Sequence, residues 1–426
     1  MRNSTERLTM LSLDPDRTPA HTAESMAGAY EDLRNYLLAT PKRKTTKAVS
    51  IVIVGGGIVG IMTAFYLRCM RYEVTILERE SFVGAASGRN GGGILALGRD
   101  LPEIPFARVS IDLWQQISEL GVDAKICRSG HLMVAMNEAE AHKLQKAMRL
   151  YALAGLDVRY LSPQELTEHV PDLNRDNQGG LFSPSCAQGY PFSAANEMVS
   201  LLRRDGVKAV DHCVVTGFEL AGARVTGVHC AQGFIEADAV VLCAGPWTSE
   251  LGNRLGVFLP VQPRRSQILA TQKLGSRRIH PFVSGNGLYL RQTHAGNLLY
   301  GGGGPWEVTG YDTSNTVAAI RRLSTRLVEM FPSYRERQLI RAFAGTVELT
   351  PDHLPLLGAV PGLDNVYVSA GYNGHGYGMS AVAGKLLARM IDDARHGAQA
   401  PKEIRQLTRL VDPSRFSDSP AAVERS

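Results

Sequence analysis

The sequence carries little excess charge of either sign. Its 46 basic and 41 acidic residues leave a net charge of +5, too small an imbalance to point to nucleic acid as a partner. The one local excess, Lys42, Arg43, Lys44 and Lys47, reads as a solvated linker, with an anchor to an anionic surface as the alternative. Cysteine is scarce. Cys69, Cys127, Cys186, Cys213, Cys230 and Cys243 form no CxxC pair and no metal-ligand spacing. That excludes a disulfide framework and leaves no metal site to expect. It points to reduced thiols in a cytoplasmic protein. The first twenty residues have no apolar core, so no secretory leader is expected. The stretch 51–67 is uncharged and largely apolar, but it falls short of the ~20 residues of a membrane span and is broken by Gly55-Gly56-Gly57. There is no internal repeat and no long low-complexity segment.

What is abundant is glycine, 43 residues, many in tight clusters where backbone must turn sharply or approach a ligand. The length of 426 residues suggests two or three domains. An N-terminal extension, 1–47, holds one short amphipathic stripe, with Tyr30, Leu33, Leu37 and Leu38 on a helix over 25–38. It reads as an appended arm. Ser50 to Val54 is a buried strand, Ile58 to Met70 a helix and Val74 to Glu78 a second strand, the size of a mononucleotide-binding half. Antiparallel strands are expected over 130–136 and 289–300, helices over 138–154, 196–204 and 376–391. Continuous apolar strands are expected at 239–243 and 366–370.

The chemistry begins at Gly55-x-Gly57-x-x-Gly60, between the first strand and the first helix. Gly55 permits the tight turn, Gly57 lets backbone approach a pyrophosphate, and Gly60 lets helix pack on strand. Ile58 and Val59 open the helix N-terminus that favours phosphate. Glu78, 18 residues beyond Gly60, stands where a carboxylate accepts from ribose hydroxyls and disfavours a 2′-phosphate, with Arg79 beside it. Residues 84–93 then read GAASGRNGGG.

At this point the chain resembles the D-amino acid oxidase superfamily of FAD-dependent oxidoreductases, which includes the glycine oxidase, sarcosine oxidase and γ-glutamylputrescine oxidase branches. The resemblance covers about 50–416. It implies that Ser87, Arg89, Asn90, Gly91 and Gly92 run along the cofactor from pyrophosphate to isoalloxazine, and that Val215 packs on adenine. Ala244, Gly245 and Trp247 match the return to the FAD-binding part. The block Thr350-Pro351-Asp352, with Pro355 and Gly358, is followed by Gly371, Tyr372, Asn373, Gly374, His375 and Gly376. In this family that turn opens a helix aimed at the flavin pyrimidine, and the helix N-terminus stabilises negative charge on reduced flavin. Three departures stand out. No Cys lies in Ala344–Leu349, where sarcosine oxidase tethers its flavin, so noncovalent FAD is expected. Val347 falls where glycine oxidase carries a carboxylate-binding Arg. No Lys lies on 297–301, so the electron acceptor is O2 or another oxidant.

The expected fold is α/β combined with α+β. A discontinuous Rossmann-like FAD-binding domain (48–105, 191–256 and 341–416) is joined to a mainly antiparallel substrate domain (106–190 and 257–340), with a tail over 417–426. Tyr289 matches a carboxylate-contacting Tyr of glycine oxidase. Arg291 shares its strand face and offers a bidentate fork. With His375 at the flavin edge, these are the candidate catalytic residues; a structural ion pair and a structural histidine are the alternatives for Arg291 and His375. Arg264 and Arg265 look like surface. The expected reaction is oxidation of a C–N bond in a small amino acid or secondary amine by hydride transfer to flavin N5, giving an imine that hydrolyses. The rivals are a 2-hydroxy acid or polyol-phosphate oxidoreductase on the same fold, and a flavin-bearing subunit of a larger dehydrogenase.

Overall fold

The structure is a computed structural model that describes residues 13–39 and 49–417. The basic cluster at 42–47 and the polar tail beyond 417 lie outside the described residues. The nucleotide unit forms as strand Ser50–Val54, helix Ile58–Cys69 and strand Glu73–Leu77. These two strands pair in parallel, and Ser50–Val54 pairs on its other edge with Ala239–Leu242, also in parallel. The complete sheet runs Leu356–Ala359, Val366–Ala370, Ala239–Leu242, Ser50–Val54, Glu73–Leu77, Lys208–Val210; only its first pair is antiparallel. The central strands bury both faces, which is why they read as unbroken β-branched runs.

A second, eight-stranded sheet runs Leu339–Leu349, Gln262–Lys273, Asn297–Gly301, Leu288–Gln292, Phe282–Gly285, His131–Val134, Gly180–Ser183, Arg159–Leu161. All its pairs are antiparallel except that of Phe282–Gly285 with His131–Val134. Two elements cross the boundaries expected at 106 and 341. Strand Leu339–Leu349 pairs along Gln262–Lys273 in this second sheet. Helix Ile104–Glu119 packs instead on helix Gly376–Arg395, where the Ser110 hydroxyl donates to Gly378 O at 2.6 Å and the Trp114 indole N–H donates to Tyr377 O at 3.2 Å. Gly384 of the latter helix lies so close to Met62 that a Cβ would stand 2.5 Å from its carbonyl carbon.

The N-terminal stripe forms a longer helix than its sequence pattern suggests, Ala20–Leu38, and it is docked. Ala23, Leu33, Tyr36 and Leu37 are buried in the same core as Ile51, Ile58, Trp114 and Leu386. Tyr36 donates to Asp393, Arg389 pairs with Asp393 at 3.2 Å, and Arg389 donates to Ala39 O at 2.7 Å beyond the helix end. Leu38, by contrast, is exposed. Leu33→Ala should therefore lower the unfolding free energy by about 2–4 kcal/mol, from lost burial plus a cavity. Leu38→Ala should change it by no more than about 0.5 kcal/mol. Urea unfolding of the two variants separates a docked helix from an arm, which would show equal, small effects.

Candidate active site

The ends of four neighbouring strands converge. Val54, Leu77, Leu242 and Ala370 are followed by Gly55, Glu78, Cys243 and Gly371, and a cleft of about 430 Å³ opens beyond the first three. Gly55 has φ +116°, and a Cβ there would stand 2.2 Å from Cys243 O; one on Gly60 would stand 2.2 Å from Gly55 O. Any side chain at either position forces the turn apart. Glu78 is held by two amides: Gly56 N donates to Oε2 at 2.8 Å and Glu80 N to Oε1 at 2.9 Å. Ile58 N, first in its helix, donates to Ser87 Oγ at 2.9 Å. Arg79 lies 3.7 Å over the Trp247 ring, which stacks on Tyr311. Val215, Ala244 and Gly245 complete this end.

The middle of the cleft is the glycine segment. Arg89 donates to Ala344 O at 3.1 Å. Asn90 closes its own turn by accepting from Gly92 N at 2.9 Å and donating to Ser87 O at 2.8 Å. A Cβ on Gly91 would meet the Tyr289 ring at 2.8 Å, and one on Gly92 would meet Arg291 Nη2 at 3.0 Å. Tyr289 and Arg291 thus share a strand face, but only Tyr289 lines the cleft. Arg291 is buried against Gly92, and its Nε has no hydrogen-bond partner. Burial pushes its guanidinium down to about 10.

The far end is a chamber lined by Leu95, Leu97, Arg99, His131, Met133, Phe282, Ser284 and His375. His131 Nδ1 faces Leu97 O at 3.2 Å, and its Nε2 faces Ser284 Oγ at 2.8 Å. A carbonyl only accepts, so Nδ1 carries the proton and Nε2 accepts from Ser284. Burial pushes this imidazole down to about 3, so it stays neutral. Arg99 is buried, and its guanidinium makes one hydrogen bond among the described residues, from Nε to Leu95 O at 3.0 Å. Glu103 is buried four residues on, and burial pushes its carboxyl up to about 7.

The turn Gly371–Gly376 divides by role. Asn373 N donates to Glu348 O at 2.9 Å, and Asn373 Oδ1 accepts from Thr350 N at 3.0 Å, so this buried side chain pins the turn. The Tyr372 phenol pairs with Ser369 Oγ at 2.6 Å. Gly371, Tyr372 and Asn373 shape the loop, whereas Gly374, His375 and Gly376 line the cleft. His375 caps helix Gly376–Arg395 without a side-chain cap bond, and no acid stands in the first turn. The helix N-terminus is therefore free to act on whatever occupies the cleft. Sequence reasoning missed Arg99, Glu103, His131 and Ser284, which no local motif marks. Arg265, read as surface, is buried and paired with Asp312 at 2.6 Å and Glu307 at 3.7 Å. It points inward from a long strand whose alternation the sequence reading did not register.

Comparison with known proteins gives this geometry its context. The family described as FAD dependent oxidoreductase matches residues 50–390. Sarcosine oxidase subunit beta from Arthrobacter sp is 28% identical over 389 residues, covering 88% of this chain and 95% of that protein. Glycine oxidase from Pseudomonas putida is 29% identical over 358 residues, covering 81% and 94%. Among solved structures, L-proline dehydrogenase from P. horikoshii superposes with a TM-score of 0.80 at 26% identity, covering 88% of this chain and 99% of that one. The chain belongs to the FAD-dependent oxidoreductase family.

FAD is the family's cofactor, and the cleft suits it at both ends. Each Glu78 oxygen keeps a lone pair after accepting its amide, which is what a ribose diol requires. At the other end Glu348 Oε2 and Tyr377 Oη are buried without partners beside an open helix N-terminus. That is the polar lining expected along the heteroatom edge of a flavin. Glu78→Ala should weaken FAD about 5- to 150-fold, the equivalent of about 1–3 kcal/mol for bonds to a charged acceptor. Titration of apoprotein with FAD, followed by fluorescence quenching, reads this directly. Affinity unchanged within threefold would remove Glu78 from the ribose site.

Proposed function

We propose that this protein oxidises the C–N bond of a small amino acid or N-substituted amino acid. The observation that carries the reading is the continuity of the cleft, from the Glu78 turn into a chamber where a cation and two imidazoles stand beside a helix N-terminus. The relatives named above act on glycine, sarcosine and proline, which supports the same bond. Bound FAD would supply the acceptor for a hydride, two electrons and a proton, from the substrate α-carbon. The chain's own task is to orient that carbon, keep water out and receive the amine uncharged.

Carboxylate anchoring falls to Arg99 in this reading. Of the arginines that line the cleft, Arg79 and Arg254 are engaged at the Glu78 end and Arg89 donates to Ala344 O. Arg99 alone among them lies in the chamber with both Nη groups uncommitted, and a fork of two N–H donors suits a carboxylate. Arg291, beyond Gly92, supports the glycine segment from behind. Tyr289, wedged between Gly91 and Gly301, forms a chamber wall. The two separate sheets support a division into a cofactor part and a substrate part, and the six unpaired cysteines support a cytoplasmic location.

FAD is held without a covalent bond. The cysteines that line the cleft, Cys213 and Cys243, stand at the Glu78 end, and burial pushes their thiols up to about 11 and 12. Neither is a ready nucleophile. Acid precipitation should release all flavin to the supernatant; colour in the pellet would contradict this. The reaction itself is tested by anaerobic mixing of the holoenzyme with glycine, sarcosine, the two proline enantiomers, glycolate, lactate and glycerol 3-phosphate. Bleaching of the flavin is expected with an amine and not with the hydroxy compounds. Bleaching by a hydroxy compound alone transfers the reading to C–O oxidation. For the amine that reacts, Arg99→Gln should lower kcat/KM about 30- to 1,000-fold, and Arg99→Lys should recover part of it.

A further inference from the structure

The buried carboxyl of Glu103 and the imidazole of His375 face each other across the chamber wall. Glu103 Oε1 stands 4.0 Å from His375 Nδ1, and neither atom has a hydrogen-bond partner. Their backbones fix this approach. Glu103 ends the 3-10 turn Leu101–Glu103 and leads into helix Ile104–Glu119, while His375 caps helix Gly376–Arg395. The two helices are bolted together further in by the Ser110 and Trp114 bonds. Two orphaned polar atoms in a packed interior are each costly, and a proton between them satisfies both. Nδ1 is the buried edge of a ring that is about a quarter exposed and lines the cleft, so the other edge of the imidazole is the accessible one.

We propose that Glu103 is a positioning residue for His375: it closes onto Nδ1–H, fixes the tautomer with the Nε2 lone pair toward the cleft, and so makes His375 the acceptor of the proton that an incoming substrate ammonium must lose. This rests on the amine-oxidation reading above. The step balances. The N–H bond of the ammonium breaks and the Nε2–H bond forms. The amine keeps its electron pair as a neutral lone pair, and the positive charge moves to the imidazolium, opposite the Glu103 carboxylate. No oxidant or further reactant is involved.

The other groups near the pair act in known directions. Arg99, on the chain segment before Glu103, favours the carboxylate form, and Asp100 opposes it. Burial is the larger influence and favours the neutral carboxyl. Tyr151 donates to Arg99 O, and Tyr377 follows His375 on its own helix. Glu348, on the strand behind Gly376, is half-buried and also held toward its neutral form by desolvation. His131, across the chamber, is neutral and committed to Leu97 and Ser284. None of these makes a hydrogen bond to His375 Nδ1.

Two measurements test the pairing. In the holoenzyme without substrate, the His375 ring proton, assigned through His375→Asn, is titrated by NMR in wild type and in Glu103→Gln. The imidazole should titrate at least one pH unit lower in Glu103→Gln, and Glu103→Asp should restore part of the shift. An unchanged titration overturns the pairing whatever the substrate proves to be. In anaerobic flavin reduction by the amine that reacts, Glu103→Gln should move the acid limb of the rate–pH profile down and lower the limiting rate about 10- to 100-fold, the range of a lost proton acceptor. In the His375→Asn background, Glu103→Gln should add nothing, because the two act as one unit. Full additivity overturns the proposal. If no amine reduces the flavin while the NMR shift is present, the amine reading has failed and the pairing stands.

Discussion

The molecule depends on one close approach, the turn at Gly55 against the carbonyl of Cys243. With only 2.2 Å between that oxygen and a Cβ at Gly55, the two strand ends lie nearer than any side chain allows. This brings the exits of Ser50–Val54 and Ala239–Leu242 together at the carboxyl edge of the parallel sheet. Helix Ile58–Cys69 leaves on one side while the chain after Leu242 turns to the other. Such a divergence opens a crevice by geometry alone, and it sets the helix N-terminus where phosphates lie. Glu78 and Trp247 reach the same rim because their strands are in register with those two.

Buried charge is distributed unevenly. Away from the cleft, Arg265 sits between Glu307 and Asp312, and Tyr36 and Arg389 share Asp393. Around the chamber, Arg99, Glu103, Glu348, Arg291 and His375 keep polar atoms that no protein group answers. Leaving a charge unpaired in a packed interior costs several kcal/mol. That cost is tolerated here where a ligand enters and answers it. Buried polar atoms without a hydrogen bond also occur away from the cleft, at Arg265 Nε and Glu307 Oε2, but there the two charges face each other at 3.7 Å; those of the chamber lie beside the cleft. They also explain why its lining combines apolar walls with a few converging polar atoms.

The readable parts of the sequence were those with short-range causes. The Gly55 turn, the Ser50–Val54 and Val366–Ala370 strands, the Gly376 helix and the 84–93 glycine segment each follow from local spacing, and each forms within a few residues of expectation. The chamber was illegible for the opposite reason. Arg99, His131 and Ser284 come from three separate segments, and only the pairing of Phe282–Gly285 with His131–Val134 makes His131 and Ser284 neighbours. Arg291 shows the limit from the other side. Its strand period placed it correctly beside Tyr289, but period says which face a residue takes and not how deep the cleft runs. Arg265 was misread because a doublet after proline looks like a loop. In the structure it lies in the twelve-residue strand Gln262–Lys273, where one of the pair must face inward.

The N-terminal helix connects these levels. No residue of Ala20–Leu38 lines the cleft, yet the helix packs across Ile104–Glu119 and, through Arg389 and Asp393, holds the far end of Gly376–Arg395. Those two helices present Glu103 and His375 at their N-termini. What looks in the sequence like an arm appended to a cofactor-binding fold is therefore packed into the same core as the two helices that carry Glu103 and His375 at their N-termini.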